Sequence, residues 1–345
     1  MLVGSVPLES SEAVFRLFGP TLGPYLPAIP DGETGERRWW VARFSRNVYS
    51  RHPDLEVLQR PPEEDLGTER LTRRGRGKSW LFRIRNGRAP RIGEPGTGMG
   101  FTLDAVASYE VFRRLRAEKV IPPGVRFQVS IPLPNSSASP GIFVPEDLPR
   151  MRAALKAALA AEAAEIARRI PHEDLAIQWD GSWEITDVYG GVPQLASGDA
   201  IERNVGQIRG LSAGIPETVL LGYHLCFGTF GGWPRFSPPD LGRAVAFANA
   251  AIEASGRRVD WLHMPTLDRT DDAFYAPLPE LRPQGARVYL GMIHSMASFD
   301  ARLAAARRFL PDFGVAAYCG FGRLEPAELP AILRDHLRAV KALAA

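Results

Sequence analysis

The chain has 345 residues, of which 45% are hydrophobic and 23% charged, ordinary globular values that argue against disordered, coiled-coil and membrane classes. Its 42 basic and 39 acidic residues nearly balance at a net charge of +3, which by itself points to no nucleic-acid partner. Two cysteines make no disulfide framework, the first residues lack a basic segment followed by an apolar run, and no stretch of about 18 apolar residues occurs; a soluble cytoplasmic protein is expected.

Residues 2–6 read as a first strand, followed by a helix near 9–18. The Pro-rich stretch 20–30 reads as a rim loop, and the pattern assigns no second strand with the same clarity. Residues 66–94 read as a β-hairpin or long excursion: 80–84 alternate around charged positions, and Asn86-Gly87 offers a turn. The arginines between Arg70 and Arg91 fit a solvated face or the recognition of an anionic substrate tail. A helix over 101–118 then leads into a regular alternation. Apolar or β-branched runs at 125–131, 175–179, 218–224, 259–263, 287–293 and 314–319 alternate with helical stretches near 145–170, 198–212, 238–256, 298–309 and 325–344. The Ala-rich stretch 151–170 carries Arg, Lys and Glu at helical spacing, so it is an amphipathic helix. There is no internal repeat and no Gly/Ser-rich linker. The expected architecture is one α/β domain over 1–345, a (β/α)8 TIM barrel with an excursion in the first 100 residues.

In such a barrel the chemistry sits at the C-terminal ends of the strands. Asp180, His224, Cys226, His263, His294 and Cys319 all fall at or just after predicted strand ends. Each alone has a structural reading, as a core thiol or a satisfied imidazole. Together, His224-x-Cys226 on one loop and Cys319 on another strand end form a thiolate-imidazole donor set that suits zinc and leaves a fourth position open. Two thiolates make the metal a weak Lewis acid but a good holder of a reactive sulfur ligand.

Gly4-Ser5-Val6-Pro7, Asp31-Gly32-Glu33, Gln178-Trp179-Asp180, His224-Leu225-Cys226, Ile293-His294-Ser295 and Cys319-Gly320 follow one another in the chain. In that order they resemble motifs of the catalytic barrel of cobalamin-independent methionine synthase and its relatives, which include the coenzyme M methyltransferases. The resemblance implies that His224, Cys226 and Cys319 hold zinc and that a small-molecule thiol reacts there with a methyl or alkyl donor. It further implies His294 as an acid, Ser5 and Glu33 as holders of the thiol's polar end, Asp180 as an orienting group, and Trp179 and Glu184 as part of the substrate pocket. Trp39, Trp40, Trp179 and Trp183 could wall that pocket, with rim packing as the other reading of Trp39 and Trp40. Glu33 could also simply cap the helix expected from Glu36.

The departures are specific. Methionine synthase completes its zinc site with a Glu after the sixth strand, where this chain has Asp260-Trp261-Leu262-His263-Met264-Pro265, so His263 is a candidate replacement. The family's Asp-Glu-Pro is Asp180-Gly181-Ser182, with Glu184 displaced. Residues 131–134 do not resemble the folate region, and synthesis of methionine from methyl-folate is not expected. Two other readings remain open: a metal-free decarboxylase-like barrel using Arg37, Arg38 and Asp180 on an acidic substrate, and a non-catalytic binding barrel.

Overall fold

The computed structural model describes residues 1–62, 79–93, 98–192, 198–229 and 232–344. Its centre is a curled sheet of seven parallel strands: β1 (Ala28–Pro30), β4 (Arg126–Pro132), β5 (Leu175–Gly181), β6 (Leu220–Leu225), β7 (Trp261–Pro265), β8 (Arg287–Ile293) and β9 (Gly314–Ala317), each paired with the next in that order. The strands from β4 onward are the six runs expected from hydrophobic patterning. They are continuous apolar runs because helices cover the sheet and the other face is also buried. Among the covering helices, Leu148–Arg169 enters through Pro149 and buries Met151, Leu155, Leu159, Ala163 and Ile166, spaced three or four apart on one face. Burial of each leucine there contributes about 1.5–3 kcal/mol.

Two expectations for the first hundred residues need correction. Ala28–Pro30, read as loop, is a strand, because its backbone pairs with Arg126–Gln128 despite the flanking prolines. The antiparallel pair does not turn at Asn86-Gly87. Strand β3 (Leu81–Ile84) pairs instead with the earlier β2 (Leu55–Gln59). The rest of the expected excursion lies largely outside the described residues.

Residues 2–6, expected as a strand, form no ladder, yet they touch both edges of the sheet. The Met1 amino group donates to Val315 O at 2.7 Å, Val6 N donates to Gly32 O at 2.7 Å, and Phe321 N donates to Ser5 O at 2.5 Å. The hydrogen bonds of this segment therefore go to loop backbone groups and side chains, including the Gln128 and Gln178 amides that both donate to Val3 O at 2.8 Å.

Inside the curl Met1, Ala28, Ala176, Trp261 and Ala316 form an apolar group. Gln178, Gly222 and Trp261 are register partners across three strands. Gly222 is required there, since any Cβ would overlap the Trp261 indole, whose Nε1 donates to Gln178 Oε1 at 3.2 Å. Asp180, His224 and His263 are register partners one step higher, at the carboxyl ends of the strands. No helix among the described residues is long and apolar enough to cross a membrane.

Candidate metal centre and cleft

A parallel sheet delivers the ends of all its strands to one side, and the two cysteines lie one and two residues beyond such ends. Cys226 follows β6 and is tied to the neighbouring strand by Cys226 N donating to Gly181 O at 3.0 Å. Cys319 follows β9 on a loop that presses against Ser5. A Cβ on Gly320 would sit 2.6 Å from Ser5 Oγ and one on Gly322 2.7 Å from it, so both glycines are required for the approach. The result places the two sulfurs 3.4 Å apart, with one ligand atom each of His224, Cys226 and Cys319 all within 4.8 Å of one another. The contact between the two sulfurs raises the Cys226 thiol and lowers that of Cys319.

His224 presents its ring through a defined hydrogen-bond chain. The Ala317 carbonyl can only accept, so His263 Nε2 carries a proton and donates to it at 3.0 Å. Burial holds the His263 imidazole well below its usual range, hence neutral, with a bare Nδ1. His224 Nδ1 then donates to that atom at 2.6 Å, which in the neutral ring leaves Nε2 as the lone-pair nitrogen. That nitrogen is buried with no hydrogen-bond partner, an arrangement that is costly unless something else occupies the lone pair. These three residues could hold a metal ion. His263, a candidate ligand in sequence, is behind His224 rather than beside the sulfurs, and both its ring nitrogens are already engaged.

The cleft over the sulfurs is lined by Gly4, Ser5, Glu33, Asp180, Trp183 and Arg323, among others. Glu33 and Asp180 also line a second, adjoining cleft that contains Arg37, Arg43 and Asp104. Glu33 is held at φ 44°, the left-handed region costly to residues other than glycine. Its preceding Gly32 (φ 83°) has no room for a Cβ against Val14. This strained turn aims the Glu33 carboxylate into the cleft. Burial, with Asp31 nearby, pushes the Glu33 carboxyl up to about 8. Asp180 is raised well above the carboxylate range by burial and by Glu33, while accepting from Gln178 Nε2 at 2.8 Å.

Three other expected site residues stand apart from these two clefts. Trp179 points outward to the helices, fully buried, its Nε1 donating to Ser212 Oγ at 3.0 Å. Alternation along β5 explains this, since Gln178 and Asp180 take the inward positions. Glu184 is buried beneath the cleft, accepting from Ser136 N at 2.9 Å and from the Ser136 hydroxyl, and burial lifts it to about 7. His294 lies to one side, where it packs edge-on to Tyr318 and near Trp233. Its Nε2 donates to Thr266 O at 2.8 Å. Burial, reinforced by Arg302, lowers His294 to about 4, so it is neutral at pH 7, which does not suit the acid role that the resemblance implies.

The residue reading of the cleft passed over Arg323 and Ser182. Arg323 was detectable in principle, because Cys319-Gly320-Phe321-Gly322-Arg323 places a cation one short glycine-rich loop after a candidate ligand. Trp183, one of the candidate wall residues, does line the cleft, and the Arg235 guanidinium lies over its ring at 3.4 Å from the centroid. Arg37, assigned to an acidic substrate on the metal-free reading, is already paired with Asp31 at 2.6 Å.

No family model matches this chain, and no curated protein matches it. Among solved structures it is similar to a B12-independent methionine synthase from Shewanella sp. W3-18-1 in complex with selenomethionine. The match has 15% sequence identity and a TM-score of 0.57, and covers 99% of this chain and 95% of that one. At that identity the likeness speaks for the fold alone; the curled sheet of seven parallel strands is compatible with a TIM-like barrel, and the eighth strand of the expected (β/α)8 barrel is not found among the described residues.

Proposed function

We propose that the protein is a zinc-dependent methyl or alkyl transferase acting on a small thiol, in a reaction other than authentic methionine synthesis. The observation that carries this is the buried, partnerless His224 Nε2 beside the Cys226 and Cys319 sulfurs. Two thiolates and an imidazole are the donors zinc prefers, and three protein ligands are those of a site kept open for a substrate. His224, Cys226 and Cys319 would hold the ion. When bound, zinc lowers the pKa of a coordinated thiol, so that a sulfur nucleophile exists at neutral pH.

The chain's own residues supply the remainder. An S–C bond forms to the donor's methyl or alkyl carbon as that carbon's bond to its leaving group breaks. Glu33 and Asp180 crowd two carboxyl groups against the same space, and a cationic group on the thiol entering there would return both to the ionised form. The Ser5 hydroxyl, fixed by the glycine loop, offers a hydrogen bond at the same wall. Trp183 and its stacked Arg235 give a rigid flat side against which a donor can pack. For the leaving group, His294 Nδ1 is the ring nitrogen not engaged with Thr266, on a neutral ring that stands to one side of the cleft.

The test is elemental mass spectrometry on protein purified without chelator, followed by a screen of thiols with methyl donors. About one zinc per chain that Cys226→Ser and Cys319→Ser each remove, with turnover of some thiol, supports the proposal. A folded, metal-free wild type overturns it.

A further inference from the structure

We propose that a cleft at the amino ends of strands β8 and β9 binds a planar aromatic ring bearing an anionic group. It is a second site, independent of the chemistry at the sulfurs. The cleft holds about 420 Å³ and is lined by Tyr25, Arg287, Tyr289, Arg307, Val340 and Leu343, among others. That volume falls within the range of small-molecule sites, roughly 300–1,000 Å³. Arg287 and Gly314 open the two strands, and Cys319 follows Gly314 by five residues, roughly 16 Å of extended chain. A small molecule bound here therefore does not touch the sulfurs.

The aromatic half of the recognition comes from two tyrosines. Tyr289 packs against the apolar group around Met1 and Trp261. Its ring takes the space that a side chain on Gly314 would need, since a Cβ there would stand 2.5 Å from two ring carbons. The ring is fixed in this way, while its hydroxyl makes no hydrogen bond among the described residues and has the Arg287 charge nearby. Tyr25, 55% exposed, presents a second ring at the same opening. Val340 and Leu343, from the helix Leu329–Ala344, add apolar wall. The anionic half comes from two arginines. Arg287 pairs with Asp312, a carboxylate 84% exposed, and an ion pair so open to water is weak. Arg307 donates to the Leu343 carbonyl at 2.9 Å, which holds its stem beside the cleft and leaves the rest of its fork uncommitted. Asp312 is the sole acid of the lining, so the two guanidinium groups give the cleft a positive balance. A guanidinium both matches a planar oxyanion and packs on an aromatic face. An aromatic anion uses both properties; a neutral aromatic or an aliphatic anion uses one.

The experiment is isothermal titration of the full chain with 2-naphthoate, adenosine monophosphate, 2-naphthalenemethanol and cyclohexanecarboxylate. One of the two aromatic anions is expected to bind at about one site per chain, about tenfold or more tighter than the neutral alcohol and the alicyclic acid. Which of the two binds tighter tells carboxylate from phosphate. Arg307→Met and Tyr25→Ser, both at exposed positions that a folded chain tolerates, should each weaken that binding by about fivefold or more. Arg307→Lys should keep part of the affinity. Arg38→Met, which alters the lining of the sulfur cleft at the other ends of the strands, should leave it unchanged. Circular dichroism of each variant checks that the fold is kept. No binding of either aromatic anion, equal binding of the alcohol or the alicyclic acid, or binding that Arg307→Met and Tyr25→Ser leave intact overturns the site. Binding that Arg38→Met weakens and Arg307→Met does not would put the anion at the sulfur cleft and overturn it as well.

Discussion

The Nδ1 atoms of His224 and His263 lie 2.6 Å apart, and the Ala317 carbonyl behind His263 decides which of the two carries the proton. The chain of donors runs from His224 to His263 to Ala317 and leaves His224 Nε2 as the ring nitrogen beside the cysteines. An imidazole here does what a carboxylate or carbonyl commonly does behind a metal-binding histidine, fixing tautomer and ring orientation. His263→Phe should therefore weaken zinc binding by about 10–100-fold in chelator competition, with one-to-one loading still reached at high zinc. Unchanged affinity would show that His263 is a packing residue only.

Trp179 gives the opposite prediction. Its indole is held by Ser212 among the helices and is walled off from the cleft by the strand that bears it. Trp179→Ala should cost about 3–5 kcal/mol of unfolding free energy. Trp179→Phe should leave metal content and thiol affinity as in the wild type. A loss of thiol affinity in the phenylalanine variant, at unchanged metal content, would return Trp179 to the pocket.

Glu184 ties stability to pH. Its carboxyl is raised from 4.5 to about 7 by burial, so between roughly pH 5 and 7 the folded state binds more protons than the unfolded one. Stability contributed by this group is then full below the unfolded pKa and falls as pH rises through the folded value. Glu184→Gln mimics the protonated form. Its stability relative to wild type should therefore improve by about 2 kcal/mol between pH 5 and pH 8 in urea titrations. A pH-independent difference would mean that Glu184 is ionised throughout.

The Cys319 loop offers a steric test. A methyl group on Gly320 would meet Ser5 Oγ at 2.6 Å, and Ser5 cannot retreat because its carbonyl accepts from Phe321 N. Gly320→Ala should cost about 1–3 kcal/mol and lower zinc content by moving Cys319 away from Cys226. Full zinc loading in a stable Gly320→Ala protein would show that the loop has another way to seat the sulfur.

Patterning along the chain was enough for the parallel strands from residue 125 onward, because a strand buried on both faces must be an unbroken apolar run. It was also enough for the rim that gathers Asp180, His224, Cys226 and Cys319, since parallel strands all end on one side. The first hundred residues were harder, because the hydrogen bonds of residues 2–6 go to loop backbone groups and glutamine side chains, and Ala28–Pro30 is a strand only through its partner Arg126–Gln128. Strand alternation, had it been counted along β5, would have turned Trp179 outward from sequence alone. What no local pattern contains is the pairing of one imidazole with another 39 residues away, or the loop contact that sets Gly320 against Ser5. Those depend on register and on which glycines meet which side chains, and so only the tertiary structure decides that His263 meets His224 rather than the cysteine sulfurs.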